Sequence, residues 1–165
     1  MDAAPLLAEV GRQLIAVRLE AVLIGNAAAA LRGAPVTTVD FDFLFRKTPV
    51  NLQKLKRLAR ALGATVLRPY YPVSDLFRVV RDSDSLQIDF MATIHGARSM
   101  EGVRDRASAI PVGGVAILVA SLEDIIRSKR AARRPRDLAV LPVLEKVLEE
   151  ATRSSRPARR RAPRK

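Results

Sequence analysis

The sequence predicts an α/β (α+β) domain, in which a mixed β-sheet carries flanking helices and ends in a C-terminal helical segment. Segments of helical and strand period follow one another as helix, strand, helix, strand, helix, several strands and then helices, an order that places helices against a mixed sheet. Apolar residues make up 48% of the 165, which is material for a single core. With only seven aromatics and no Trp, that core must be packed mainly by Leu, Val, Ile and Ala.

The first helix is expected from about Pro5 to Arg18, where Leu6, Val10, Leu14 and Val17 recur at helical spacing and Pro5 suits the first turn. Ala21–Ile24 reads as a short apolar strand, broken by Gly25-Asn26, and the Ala27–Leu31 run favours a helix that stops at Gly33-Ala34-Pro35. Residues 39–45 alternate carboxylates with apolar side chains, the period of a strand with two distinct faces. Thr48 caps a helix whose first position is Pro49 and whose end is Gly63.

Three strands are expected next, near Thr65–Leu67, Leu76–Val80 and Leu86–Met91. A further pair, Ala109–Val112 and Val115–Val119, flanks the hairpin turn Gly113-Gly114. Ser121-Leu122-Glu123-Asp124 has capping-box spacing and opens a helix to about Arg130. Pro135 starts another helix, which Pro142 is expected to break or kink. No internal repeat is present.

Composition narrows the function. With no Cys, disulfide scaffolds, thiolate metal sites and Cys nucleophiles are excluded, and a reducing cytoplasm fits. No apolar run reaches the roughly 20 residues that span a bilayer, and the start, with Met1, Asp2 and Pro5, does not read as a signal peptide. A cytoplasmic protein with no membrane partner is expected. The net charge is +12, of which residues 153–165 carry seven positive charges and no acid. That balance favours polyanionic partners, whether a triphosphate, RNA or DNA. The division expected is a domain over 1–150 and a disordered basic tail over 151–165.

The chemistry-bearing residues are acids placed against the strand pattern. Asp40 and Asp42, two apart on a strand, share one face, while Phe41 and Phe43 point into the core. Two like charges side by side repel unless a cation lies between them, and hard oxygen ligands suit Mg²⁺ in phosphoryl transfer. Asp89, between the apolar Ile88 and Phe90, is a third off-pattern acid that needs a partner. Gly25-Asn26, between a strand and a helix, lets backbone approach a phosphate closely. Helical spacing also puts Lys129 on the buried stripe of Leu122, Ile125 and Ile126, and Asp137 on that of Val140, Leu141 and Leu144.

These residues together resemble the nucleotidyltransferase superfamily with the polymerase-β-like palm. The pattern there is a small-residue pair, about ten residues, Asp-x-Asp, and a later third acid. Leu23-Ile24-Gly25-Asn26-Ala27, Thr38-Val39-Asp40-Phe41-Asp42 and Ser121–Lys129 followed by Arg134-Pro135-Arg136-Asp137 look like the small bacterial branch that includes AbiEii-type toxins. The resemblance covers roughly residues 20–148. It implies Mg²⁺ or Mn²⁺ on Asp40, Asp42 and Asp89, with Asp89 helping to activate the acceptor hydroxyl. Gly25, Asn26, Thr38, Lys129 and Asp137 would serve the nucleoside triphosphate, with Lys129 counted among the catalytic residues. It also implies an RNA acceptor, tRNA first, and a toxin–antitoxin setting with an antitoxin protein as partner. Two positions depart from the family: Asn26 stands where Gly or Ser is usual, and Val36 where an Arg often precedes the Thr-x-Asp.

Other readings are a nucleic-acid- or partner-binding module that kept the fold and lost catalysis, and an antibiotic-modifying transferase. Clustered acids argue against a pure binder of polyanions, and a basic surface argues against cationic aminoglycosides. His95 reads as a loop residue, Tyr70 and Tyr71 beside Pro69 and Pro72 as a turn, and the run from Arg127 to Arg136 as partly a solvated face.

The tail yields the first prediction. Truncation at Ala151 is expected to leave thermal stability and triphosphate binding nearly unchanged while lowering RNA affinity. In a titration at several salt concentrations, the log–log slope should fall by roughly 0.7 for each single-strand phosphate that the tail no longer neutralises.

Overall fold

The computed structural model describes residues 3–38, 40–67 and 75–155. Seven strands form one mixed sheet with six α-helices around it. The chain order is α1 (Ala4–Ala16), β1 (Ala21–Ile24), α2 (Gly25–Leu31), β2 (Phe41–Phe45), α3 (Pro49–Ala61), β3 (Thr65–Leu67), β4 (Leu76–Arg81), β5 (Leu86–Met91), α4 (Met100–Arg106), β6 (Ser108–Val112), β7 (Val115–Val119), α5 (Leu122–Ala132) and α6 (Pro135–Ser154). The strands lie in the order β3-β4-β5-β2-β1-β7-β6. The pairs β2–β5 and β1–β7 are parallel, and the other four are antiparallel.

The centre of the sheet follows from its side chains. All four residues of β1 are buried, as expected of a strand covered on both faces. From β2 and β5, Phe43 and Phe90 stack at 5.5 Å between ring centroids, and Phe45 meets Phe90 edge-on at 5.8 Å. These rings, with Ile88 and Leu44, fix the β2–β5 register by burial. Helix α1 lies across β7 so closely that a Cβ at Gly11 would stand 2.2 Å from Ile117 Cδ1. The sheet edges are blunted, on one side by the three-residue β3 and on the other by Pro111 in β6.

Most expected elements form within one or two residues of their expected ends. Strand β2 starts at Phe41, so Asp40 sits in a bend just before the strand and not within it. The Gly25-Asn26 pair opens α2 directly. Helix α4 is not among the expected elements. It has seven residues, includes Gly102 and buries only Met100 and Val103, too little for a helical period to register.

Helix α6 runs unbroken through Pro142, contrary to a break there. Pro142 is exposed, so the carbonyl it leaves unbonded faces water instead of the core. The helix also continues to Ser154, so residues 151–154, which composition assigns to the tail, are helical. The rest of that tail, 156–165, and Tyr70 and Tyr71 lie outside the described residues.

Because Phe90 joins both ring contacts at the β2–β5 seam, Phe90→Ala is expected to cost about 3–5 kcal/mol. A urea unfolding curve, compared with that of wild type, measures it.

Candidate active site

Parallel pairing of β2 with β5 places Asp42 directly opposite Asp89. With Asp40, from the bend before β2, each offers a carboxylate oxygen within 4.8 Å of the others. Asp40 is held by Thr38, whose hydroxyl donates to the Asp40 carbonyl at 2.7 Å and lies 3.1 Å from Asp40 Oδ1. Thr38 thus enters the site through Asp40.

Burial pushes the Asp42 carboxyl up to about 6, and the charges of Asp40 and then Asp89 push the same way, against weaker pulls from Lys129 and Arg136. The next strand adds a steric limit. Gly25 follows Ile24, the β1 partner of Asp42, and has φ +69°, and a Cβ there would lie 2.4 Å from Asp42 Oδ2. Backbone conformation and space therefore both demand glycine at this position.

Asp89 is almost fully buried and is held by Arg78, its cross-strand neighbour on β4. Arg78 Nε donates to Oδ1 and Nη2 to Oδ2, each at 2.8 Å, a fork-on-fork pair. The guanidinium's own pKa is raised, first by this bond. Sequence reasoning missed Arg78. The signal was the hairpin: Phe77 and Val79 face the core, so Arg78 shares a face with Asp89, but only the β4–β5 register makes them neighbours.

Lys129 and Asp137 are both buried and joined by a 3.1 Å bond from Nζ to Oδ1. Arg134 Nε lies 3.0 Å from Asp137 Oδ2, a charge contact without hydrogen-bond alignment, so that buried oxygen accepts no well-formed bond. Asn26 is similarly under-used. Its Oδ1 is buried without a partner, and its Nδ2 reaches Thr37 O only at 3.5 Å.

All the expected site residues except Thr38 line one cavity of about 410 Å³, which Arg78, Arg136, Ser128 and His95 also line. His95 is an exposed loop residue. Asp124, expected only as a cap, also lines the cavity and is held by Arg106 at 2.8 and 2.9 Å and by Arg127 at 2.9 Å, so it braces the start of α5. From the end of α2, Arg32 donates to the carbonyls of Val119 and Ala120, which ties α2 to the exit of β7.

The donor set suits a hard divalent cation. Three carboxylates converge, and burial together with the two neighbouring charges disfavours the charged form of Asp42. Arg78 takes one lone pair from each Asp89 oxygen, and a carboxylate has about four such sites.

Residues 4–159 match the family described as nucleotidyl transferase of unknown function (DUF2204). The chain belongs to this family of nucleotidyl transferases. Among solved structures, this nucleotidyl transferase is similar to the antibiotic-resistance factor ANT(2'')-Ia, at 18% identity and TM-score 0.63, over 93% of this chain and 94% of that one. It is also similar to a putative nucleotidyltransferase of Thermotoga maritima, TM1012, at 18% identity and TM-score 0.56, over 88% and 92% of the two chains. JHP933 of Helicobacter pylori matches at 20% identity and TM-score 0.56, over 88% of this chain and 66% of its own. At these identities the likeness is one of fold. No curated protein matches the chain.

The charge balance at Asp42 has a consequence for pH. Its pKa is raised in the folded state, so its contribution to stability is fully present below the unfolded value near 3.8 and is lost as pH rises through about 6. In the metal-free protein, Asp42→Asn should therefore gain on wild type in melting temperature between pH 4 and pH 7. Differential scanning calorimetry across that range checks it. Adding Mg²⁺ at pH 7.5 should raise the wild-type melting temperature more than that of the variant.

Proposed function

We propose that the protein transfers a nucleoside monophosphate from a nucleoside triphosphate to an RNA hydroxyl, with tRNA the first candidate. The observation that carries the reading is the convergence of Asp40, Asp42 and Asp89 within 4.8 Å in one cavity with Lys129. Asp40, Asp42 and Asp89 would hold Mg²⁺, or Mn²⁺ in its place. Such an ion would supply positive charge that offsets the charge developing on the phosphates.

The chain's own residues then divide the work. Lys129 offers its ammonium to the triphosphate as a catalytic residue, and Asp137 keeps that ammonium aimed. Gly25 keeps Cβ bulk away from Asp42, and Asn26 presents an amide with bonding capacity to spare. Asp89 accepts the proton of the attacking hydroxyl as its oxygen bonds the α-phosphorus and the α–β anhydride bond breaks to release pyrophosphate.

An RNA acceptor is favoured by the chain's net charge of +12, and Arg78, Lys129, Arg134 and Arg136 line the cavity together with five aspartates. One similar structure is ANT(2'')-Ia in complex with adenylyl-2''-tobramycin, but the basic surface of this chain disfavours a polycationic acceptor. The motifs also support placing the chain near the AbiEii-type toxins, with a cytoplasmic setting and an antitoxin partner. Residues 1–150 form the transferase domain on this reading, and the basic residues beyond it add attraction for RNA. The second reading, a catalytically weakened binding module, draws on the Arg78 fork that occupies Asp89 and on Asn26 at the usual Gly or Ser position.

Incubation with each labelled triphosphate, Mg²⁺ and total RNA tests transfer directly. Asp42→Asn should fold normally and lose transfer by on the order of 100-fold or more, since losing even an outer-shell partner of a metal costs 10–100-fold. Wild-type turnover in the variant would remove Asp42 from the metal site.

A further inference from the structure

Arg78 stands on one flank of the carboxylates, and the groups proposed for the triphosphate stand on the other. Strand order places β4 three strands from β1, so with spacings of about 4.8 Å Arg78 lies roughly 14 Å across the sheet from Gly25. Lys129 and Asp137, on α5 and α6, belong to the flank of α2 and β1. The Arg78 side chain is 40% exposed and lines the cavity. Its fork on Asp89 uses Nε and Nη2, one N–H from each. Two of the five guanidinium donors are therefore engaged with Asp89, and the edge carrying Nη1 lies outside the fork.

A guanidinium in this position does more than neutralise one carboxylate. An Arg fixed by one edge is a pre-oriented anion receptor along the other, and its planar donors match phosphate oxygens. It sits beside the acid that would receive the acceptor's proton, and on the side away from the triphosphate.

We propose that Arg78 is the acceptor-side phosphate contact of this enzyme, selecting an acceptor whose reactive hydroxyl lies next to a backbone phosphate, as in RNA. The inference rests on the transfer reading above and names the acceptor feature that reading requires. Holding Asp89 and binding the acceptor phosphate through one guanidinium fixes the distance between the acceptor backbone and the proton-accepting carboxylate. Arg78 is thus a specificity-determining residue that also positions Asp89.

The test is fluorescence anisotropy of a short single-stranded RNA against the full-length protein at several salt concentrations. Wild type is compared with Arg78→Ala, Arg78→Lys, Arg78→Gln and Arg46→Ala. Arg46 is exposed and paired with Glu101, so its loss reports a surface charge alone. Arg78→Gln keeps a donor for Asp89 without the charge, which separates recognition from a folding defect.

The expected result is about tenfold weaker binding for Arg78→Ala and Arg78→Gln, with a salt slope lower by about 0.7. Arg78→Lys should recover part of the affinity, and Arg46→Ala should change it by less than about twofold, as for a screened surface charge. A methylphosphonate version of the RNA, without backbone charge, should bind wild type and Arg78→Ala alike. An unchanged slope in both Arg78→Ala and Arg78→Gln, or an equal loss in Arg46→Ala, would overturn the assignment. So would wild type binding tobramycin more tightly than the RNA. The labelled-triphosphate assay reads separately: RNA held through Arg78 with no nucleotide transferred keeps the phosphate contact and rejects the transfer reading.

Discussion

Mutual repulsion among Asp40, Asp42 and Asp89 is the constraint on which the rest of the site depends. Nothing in a sheet favours three carboxylates within 4.8 Å, and burial first, then the charges of Asp40 and Asp89, raise the carboxyl of Asp42. They are held together by the opposite faces of the same strands. Phe41, Phe43, Ile88 and Phe90 are all buried, and a one-residue slip in either strand would put aromatic rings on the site face and acids in the core. The core therefore fixes the register, and the register imposes the repulsion. Gly25, Arg78 and Lys129 each relieve it differently: by leaving room for Asp42, by pairing Asp89, and by placing a positive charge nearby.

Much of this was legible because the acids break a pattern. In β2 and β5 the apolar residues alternate, so Asp42 and Asp89 stand out, and β1, β5 and β7 match their expected ranges. Lys129 and Asp137 were visible as charges on apolar helical stripes, and the structure joins them at 3.1 Å. What could not be read was anything that depends on which elements become neighbours. Arg78 fits an ordinary alternating strand, and only its pairing with β5 gives it a role. Asp124 reads as a cap because its Arg106 partner comes from α4, which leaves no helical period in the sequence. Pro142 reads as a break or kink, and the helix does not break there, since a proline's cost depends on whether the freed carbonyl faces water, which packing decides.

The Lys129–Asp137 pair is poor evidence for stability. Burying two charges costs several kcal/mol per ion before their attraction repays it, and apolar replacements of similar volume often do as well. One Asp137 oxygen also remains without a well-formed bond. A pair that adds little to the fold yet places an ammonium in the cavity beside Asp42 is better explained by what enters the cavity. An incoming polyanion would meet Lys129 already desolvated and already oriented, so less of the interaction is lost to reorganisation.

The layout of the sheet also separates two kinds of change. Positions on β2, β5 and the β1–α2 junction are bound by the carboxylates: Gly25 by a 2.4 Å limit, Asp42 and Asp89 by register. Position 78 is not bound in this way, because β4 lies outside the β2–β5 pair and its antiparallel partner already supplies the backbone bonds. A different side chain there would alter the charge offered to an acceptor and release Asp89 from its fork, while the β2–β5 register would still bring the three acids together. A shared sheet at 18% identity is therefore compatible with very different acceptors. The residue beside the third acid is where that difference should be sought, and here it is an arginine that forks onto Asp89 and lines the cavity.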